Sequence, residues 1–141
     1  MTDEIRAGLE GEKTIEVTPE LTIASFNDEL PAVYSTPSMI LLMELAASEA
    51  MEPYLPAGHI SVGVEVSIRH LAATPVGEKV TCTARVLEIT RNLVKFEVEA
   101  RDEHRLIGTG THTRAIIELA RFVQGLQQRG EKPESEHKSS R

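Results

Sequence analysis

The feature that most constrains the fold is an almost uninterrupted apolar run at residues 39–47, in which Glu44 is the one polar residue. These residues favour an α-helix that is apolar on every side, which indicates a helix enclosed by protein rather than one lying on a surface. The run is too short to cross a bilayer, since a crossing needs about 20 apolar residues. Thr36 is predicted to cap this helix, and Pro37 suits its first turn. A carboxylate inside such a helix is costly unless it is paired, hydrogen-bonded or protonated, so Glu44 is the first residue to explain.

The rest of the chain reads as β-strands joined by short turns. Strands are predicted from alternating or β-branched segments at 13–18, 60–70, 79–89, 93–101 and 105–117. In the segment 60–70, His70 falls on the apolar side of the alternation and Gly63 on the opposite side. Gly108 and Gly110, two apart in the last strand, indicate strong curvature or close approach by another element. A strand, a buried helix and then consecutive hairpins predict an α+β hot-dog fold, in which a curved antiparallel sheet wraps a long central helix.

The length of the chain indicates how many domains it forms, and its charge indicates which classes of partner are disfavoured. Its 141 residues predict a single domain at 1–128, followed by a polar tail at 129–141 that is expected to be disordered. Because one helix cannot cover a whole sheet, two copies are expected to pair side by side as a homodimer or within a larger assembly. A net charge of −7 disfavours nucleic acid and anionic membranes as partners. The polar, acidic start shows no signal peptide, so a cytoplasmic location is expected.

Glu44 and His70 are the strongest candidates for acid–base chemistry. Glu44 has a structural alternative, as a carboxylate that emerges at an interface or binds a backbone donor. In an apolar site it would instead act as a base or a nucleophile. A single histidine on the core side of a strand is more often structural, but His70 lies at a strand end, where sites tend to open. A histidine and a carboxylate from different elements in one cavity would form an acid–base pair.

Thr36, Gly63 and Arg114 are the supporting candidates. The Thr36 hydroxyl could orient a water or a substrate, but Thr36 and Glu44 are about 12 Å apart along a helix. A shared site would therefore combine Thr36 of one subunit with Glu44 of its partner. Gly63 could bring a backbone N–H close to a carbonyl oxygen, or it could only relieve packing against the helix. Arg114 could bind a phosphate-bearing ligand, whereas His112 beside it is expected on a solvated face of the sheet.

Several well-known sites are absent from the sequence. It contains no glycine-rich phosphate loop, no His-Glu-x-x-His and no Gly-x-Ser-x-Gly. Cys82 is the only cysteine, which excludes an internal disulfide and any multi-cysteine metal site. No metal, nucleotide cofactor or conventional serine nucleophile is therefore predicted.

With these features together, the sequence resembles the hot-dog thioesterases of the fluoroacetyl-CoA thioesterase type. The resemblance covers about residues 30 to 122 and rests on the motifs Ser35-Thr36, Leu42-Met43-Glu44, Ala50-Met51-Glu52-Pro53-Tyr54-Leu55, Arg69-His70-Leu71-Ala72-Ala73-Thr74-Pro75-Val76-Gly77 and Gly108-Thr109-Gly110-Thr111-His112-Thr113-Arg114-Ala115. It implies a Thr/Glu/His site of Thr36, Glu44 and His70 at a dimer interface. It also implies hydrolysis of an acyl-CoA thioester without metal or bound cofactor, with Gly63 beside the acyl group.

One departure from that family bears on the substrate. The fluoroacetyl-specific enzyme has a phenylalanine-lined lid before its catalytic threonine, where this chain has Asn27-Asp28-Glu29-Leu30. The sequence therefore favours a broader thioesterase for small or medium acyl-CoA over one for fluoroacetyl-CoA. The alternative is a non-catalytic hot-dog module that binds acyl-CoA without turning it over. A hot-dog hydratase is disfavoured, because no Asp-x-x-x-x-His segment precedes a strand.

Overall fold

The computed structural model describes residues 4–130. The predicted tail lies outside the described residues, except for Arg129 and Gly130, which end the last helix. The main elements in chain order are β1 (Glu10–Glu16), α1 (Thr36–Met51), β2 (His59–His70), β3 (Lys79–Thr90), β4 (Leu93–Arg101), β5 (Leu106–Glu118) and α2 (Leu119–Gly130). Three single turns of 3₁₀-helix, at Pro19–Leu21, Ile23–Ser25 and Glu52–Tyr54, lie on either side of α1.

The strands form one five-stranded antiparallel sheet in the order β1-β3-β4-β5-β2, and this sheet curls around α1. Alternate residues of the central strands point inward, and they pack on the buried face of the helix. The largest completely buried side chains of this core are Phe96, Met39, Met43, Met51, Ile107, Val17, Val80, Val86, Val94 and Val98. The predicted hot-dog fold of a central helix wrapped by a curved sheet is confirmed.

Glycines mark the places where other elements come closest to the sheet. A Cβ on Gly108 would lie 2.6 Å from the Sδ of Met39, so β5 passes the helix closely there. A Cβ on Gly110 would lie 2.6 Å from the Cα of Ile68 in the neighbouring strand. The close approach that the sequence predicted for this pair therefore involves the helix at Gly108 and β2 at Gly110.

The helix begins one residue differently from the prediction. Ser35 is the N-cap, and its Oγ accepts a hydrogen bond from the backbone N–H of Ser38 at 3.2 Å. Thr36 is the first helical residue, so the predicted cap at Thr36 is wrong. Because Ser35 serves the backbone, the Thr36 hydroxyl is free to bind another group.

The helix is also less enclosed than its composition suggested. Met39, Met43 and Ala46 are buried against the sheet, but Leu41 is 52% exposed and Leu45 is exposed one turn further on. The expectation of a helix covered on every side is therefore wrong for this single chain. The uncovered face carries apolar side chains beside Glu44.

A β-bulge in β2 changes which side chains face the helix. Gly63 pairs with Arg114 and Glu65 pairs with Thr113, so Val64 is an extra residue in the ladder. Val64 is 54% exposed, although simple alternation would place it on the same side as His70. Since a bulge reverses the alternation, Gly63 lies on the same face as His70, and the prediction of opposite faces is wrong.

Candidate active site

Thr36 and His70 meet where the start of α1 approaches the end of β2. The Oγ1 of Thr36 lies 2.7 Å from the Nδ1 of His70, which is a short hydrogen bond. The backbone N–H of Leu71 binds the carbonyl oxygen of Ile107, which fixes the path of the chain just after His70. The candidate threonine and histidine are thus brought together within one chain.

The other ring nitrogen of His70 has no hydrogen-bond partner in the described part of the chain. Its Nε2 is buried, and no hydrogen-bonding group of residues 4–130 reaches it. Burial lowers the pKa of His70, although a backbone contact with Ala72 opposes the shift, so the imidazole is neutral at pH 7. A neutral ring with a buried unsatisfied nitrogen can exchange a proton with a group that enters the site.

An open cleft of about 380 Å³ adjoins this pair. Its lining is mostly apolar and consists of Ile23, Val33, Tyr34, Thr36, His70, Leu71, Ala72 and Ala73. A larger cleft of about 730 Å³ lies between α2 and the neighbouring strand ends and contains none of the predicted site residues. The smaller cleft is therefore the one that adjoins two predicted site residues, Thr36 and His70.

Glu44 lies in a second cluster, beside the bulge. A Cβ built on Gly63 would be 3.3 Å from the Oε2 of Glu44, 3.2 Å from the Cε1 of His112 and 3.5 Å from the Nη1 of Arg114. A carboxylate, an imidazole edge and a guanidinium therefore surround the space that Gly63 leaves open. Three predicted site residues, Glu44, Gly63 and Arg114, share this cluster.

Arg114 is held rigidly in that cluster and is only 8% exposed. Its Nε donates to the Oγ of Ser61 at 2.9 Å, and its Nη2 donates to the Ser61 carbonyl oxygen at 3.1 Å. Its Nη1 lies 3.1 Å from the Nε2 of His112. Burial lowers the pKa of Arg114, and the charge of Glu44 opposes that shift.

His112 is the residue that the sequence analysis misplaced. It is 1% exposed, so the expectation of a solvated face is wrong. The sequence of β5 does indicate this orientation. His112 and Arg114 lie two and four residues after Gly110, so they are on the same face of the strand as Gly108 and Gly110. Since those glycines face the helix or β2, the two polar residues must also point inward.

The two clusters are separate within one chain. Gly63 and His70 lie about 20 Å apart along β2, allowing for the bulged residue. Thr36 with His70, and Glu44 with Gly63 and Arg114, therefore form two separate clusters on the same face of the sheet.

Other side chains offer little alternative chemistry. Burial raises the pKa of the Cys82 thiol to about 12, so Cys82 is no nucleophile at neutral pH. Residues 4–130 contain no group of three or more His, Cys, Asp or Glu side chains that could hold a metal ion. Within the same residues, no helix has the length and apolar character that a membrane crossing requires.

Comparison with known proteins gives consistent matches over most of the chain. Residues 17–120 match the protein family described as fluoroacetyl-CoA-specific thioesterase. The fluoroacetyl-CoA thioesterase of Streptantibioticus cattleyicolor is 37% identical over 128 residues, which cover 86% of this chain and 92% of that protein.

Solved structures match in the same way. A structure of a fluoroacetyl-CoA thioesterase superposes with a TM-score of 0.82 at 35% identity, covering 92% of this chain and 98% of its own. A thioesterase superfamily member from Thermus thermophilus gives a TM-score of 0.83 at 32% identity, covering 99% of this chain and 100% of its own. A hot-dog-like protein from Thermanaerovibrio acidaminovorans gives 0.84 at 25% identity, covering 90% and 94% of the two chains.

Proposed function

Since this chain belongs to the fluoroacetyl-CoA-specific thioesterase family, we propose that it is a thioester hydrolase that converts a small or medium acyl-CoA to the free acid and CoA. The reaction would use Thr36, Glu44 and His70. The observation that carries this assignment is the buried Nε2 of His70, which has no partner within the described chain although its Nδ1 is bound by Thr36. A buried nitrogen in this state is costly unless a substrate or another subunit completes its bonding.

A second copy of the chain is proposed to complete the site. The sheet has two free edges, and β1 bears the acidic side chains Glu10, Glu12 and Glu16, which discourage pairing. The other edge, β2, is 12 residues long and exposes Val64 and Val66. An edge of that length with apolar side chains suits antiparallel pairing with its own copy.

The positions of the Thr36–His70 cluster and of the Glu44–Gly63–Arg114 cluster support such a pairing. If the two-fold axis passed close to Val66 and Ser67, His70 of one subunit would lie opposite Gly63 of the partner subunit. Thr36 and His70 of one subunit would then face Glu44 of the other across the interface. A homodimer would contain two complete sites, each with residues from both chains.

The proposed chemistry assigns a role to each residue. The carboxylate of Glu44 attacks the thioester carbonyl carbon, or removes a proton from a water that attacks it. A backbone N–H near Gly63 binds the oxyanion, and the carbon–sulfur bond then breaks. With Nδ1 of His70 donating to the Thr36 hydroxyl oxygen, the unprotonated Nε2 takes up the proton that the hydrolytic water gives up, directly or through Glu44, and passes it to the departing CoA thiolate. In ¹⁸O-water, a single turnover would label Glu44 only if an anhydride forms.

The segment 26–30, which lies in the chain between the cleft residues Ile23 and Val33, favours a broad range of small or medium acyl groups. Phe26 is 67% exposed, and residues 27–30 are exposed as well. A polar, exposed segment does not form the apolar, water-excluding cover that a fluoroacetyl-specific site would need. Activity with acetyl-, propionyl- and butyryl-CoA is therefore expected to match or exceed activity with fluoroacetyl-CoA.

Thiol release from a panel of acyl-CoAs tests the assignment. The purified protein should release CoA, and Glu44→Gln or His70→Ala should lower turnover by about 10²-fold or more while the oligomeric state is unchanged. Binding of acyl-CoA without thiol release would instead identify the non-catalytic binding module. Unchanged turnover in both variants would exclude the proposed site.

Mixed dimers test whether the site spans two subunits. Co-expression of Glu44→Gln and His70→Ala chains with different tags allows heterodimers to be purified. In a shared site, one of the two sites in each heterodimer would contain both native residues, so about half of the native activity should return. If each site lay within one chain, the heterodimer would stay inactive.

A further inference from the structure

The hydrogen bonds of His112 determine its protonation state. Its Nδ1 lies 2.9 Å from the carbonyl oxygen of Glu65, which can only accept, so Nδ1 carries the proton. Its Nε2 lies 3.1 Å from the Nη1 of Arg114, which can only donate, so Nε2 is unprotonated. Burial lowers the pKa of His112, outweighing the Glu65 carbonyl bond, and this agrees with a neutral ring. His112 thus links the bulge of β2 to the guanidinium.

Arg114 is close to Glu44 without binding it. Both the Oε2 of Glu44 and the Nη1 of Arg114 lie within 3.5 Å of one point, the position of a Cβ on Gly63. The two atoms are therefore within about 7 Å of each other, yet no ion pair of 4 Å or less joins these two described residues. The donors of Arg114 are directed to Ser61 and His112 instead.

We propose that His112 is a positioning residue, which uses its unprotonated Nε2 to hold Arg114 beside Glu44 but out of an ion pair with it. This inference rests on the proposed function, because it assumes that Glu44 reacts with the acyl group or with water. A carboxylate in a bidentate pair with arginine has its oxygens occupied. With Arg114 held by His112 and Ser61, the oxygens of Glu44 stay available, and the cation still favours negative charge near Gly63.

Two substitutions at the same position separate this role from a structural one. In His112→Gln, the side-chain oxygen can take the place of Nε2 as acceptor for Arg114, but the bond to the Glu65 carbonyl is lost. In His112→Asn, the amide N–H can take the place of Nδ1 and keep the bond to Glu65, but no acceptor reaches Arg114. A positioning role predicts that the Gln variant is the more active, whereas a purely structural role predicts the reverse.

The measurements are kcat and KM with the best acyl-CoA, with thermal unfolding as the control for folding. We expect kcat of His112→Gln within about threefold of native and kcat of His112→Asn lower by about 10-fold or more, with little change in KM. A higher kcat for Asn than for Gln, or equal losses in both, would overturn the proposal.

Two further measurements need no turnover, so they separate this inference from the proposed function. In the native protein, ¹⁵N NMR of the imidazole should show the neutral tautomer with the proton on Nδ1, and a proton on Nε2 would overturn the inference. A crystal structure of His112→Asn should show Arg114 within 4 Å of the Glu44 carboxylate. An Arg114 that keeps its native position in that variant would equally count against it. Absence of thiol release by the native protein would remove the proposed function alone.

Discussion

Replacement of Thr36 by valine tests whether Thr36 serves catalysis while its neighbour Ser35 caps the helix. Valine has nearly the shape of threonine but no hydroxyl, so Thr36→Val removes the 2.7 Å bond to the Nδ1 of His70. Because this bond is exposed, water can replace the hydroxyl in the resting protein, so its loss costs little stability, whereas a hydrogen bond that orients the ring in the transition state is worth about 1–3 kcal/mol. If that bond orients the ring in the transition state, kcat/KM should fall by about 5- to 150-fold.

The stability of the protein should respond differently. Ser35 caps the helix, so Thr36→Val leaves the cap intact and should change the melting temperature by no more than a few degrees. Ser35→Ala removes the cap and should cost about 1 kcal/mol of unfolding free energy, which lowers the melting temperature by about 3–5 °C. Thr36→Ser keeps a hydroxyl and should retain most of the activity.

Thiol release from acetyl-CoA and thermal unfolding of the three variants decide the matter. The reasoning requires that activity falls mainly at Thr36 and stability mainly at Ser35. If Thr36→Val unfolded much more easily than Ser35→Ala, the stability role assigned to the Ser35 cap would be refuted. If Thr36→Val hydrolysed acetyl-CoA at the native rate, the catalytic role of the Thr36 hydroxyl would be refuted.

Three further predictions concern the packing of the sheet and its histidines. Gly63→Ala should lower kcat/KM by about 10-fold with little loss of stability, because the new methyl enters the space between the Glu44 and Arg114 side chains; native kinetics would contradict this. Gly108→Ala should lower the free energy of unfolding in urea by about 1–3 kcal/mol, because its Cβ overlaps the flexible Met39 side chain; no change would contradict the close packing. Burial lowers the pKa of His112. Below about pH 6.5 the unfolded chain therefore binds more protons than the folded protein, and the free energy of unfolding should decline as the pH falls. That decline, measured by urea unfolding between pH 7 and 5.5, should be smaller in His112→Gln, and an equal decline would refute the shift.

Much of the architecture could be predicted because the hydrophobic pattern is strong. The apolar run around Glu44 determined the central helix, and the alternating segments gave β2 to β5 to within one or two residues. The start of the helix was harder. Ser35 and Thr36 are both good caps, and Pro37 is tolerated at either of the next two positions, so propensity alone could not choose between them.

The bulge in β2 could not be predicted from periodicity. Apolar residues alternate without interruption through Val64, and nothing in that pattern marks it as the extra residue. The position is decided by pairing with β5, which is a long-range interaction. The candidate site also depends on long-range contacts that periodicity does not show. Thr36 and His70 meet within one chain, whereas the proposed partners of Glu44 belong to a second chain.

The reversal at Val64 gives β2 two halves in opposite phase. On one side of it the strand supplies Ser61 and Gly63 to the Glu44 cluster, and on the other it supplies His70 to the cleft. Deletion of Val64 would remove the bulge and leave the other residues of the strand paired and facing as they are now, because the bulge absorbs only this extra residue. A residue inserted elsewhere in β2, with no second bulge to absorb it, would turn one half of the strand inside out and place His70 and Gly63 on opposite faces. Sequence comparisons that place a gap at Val64 therefore still compare the same sites.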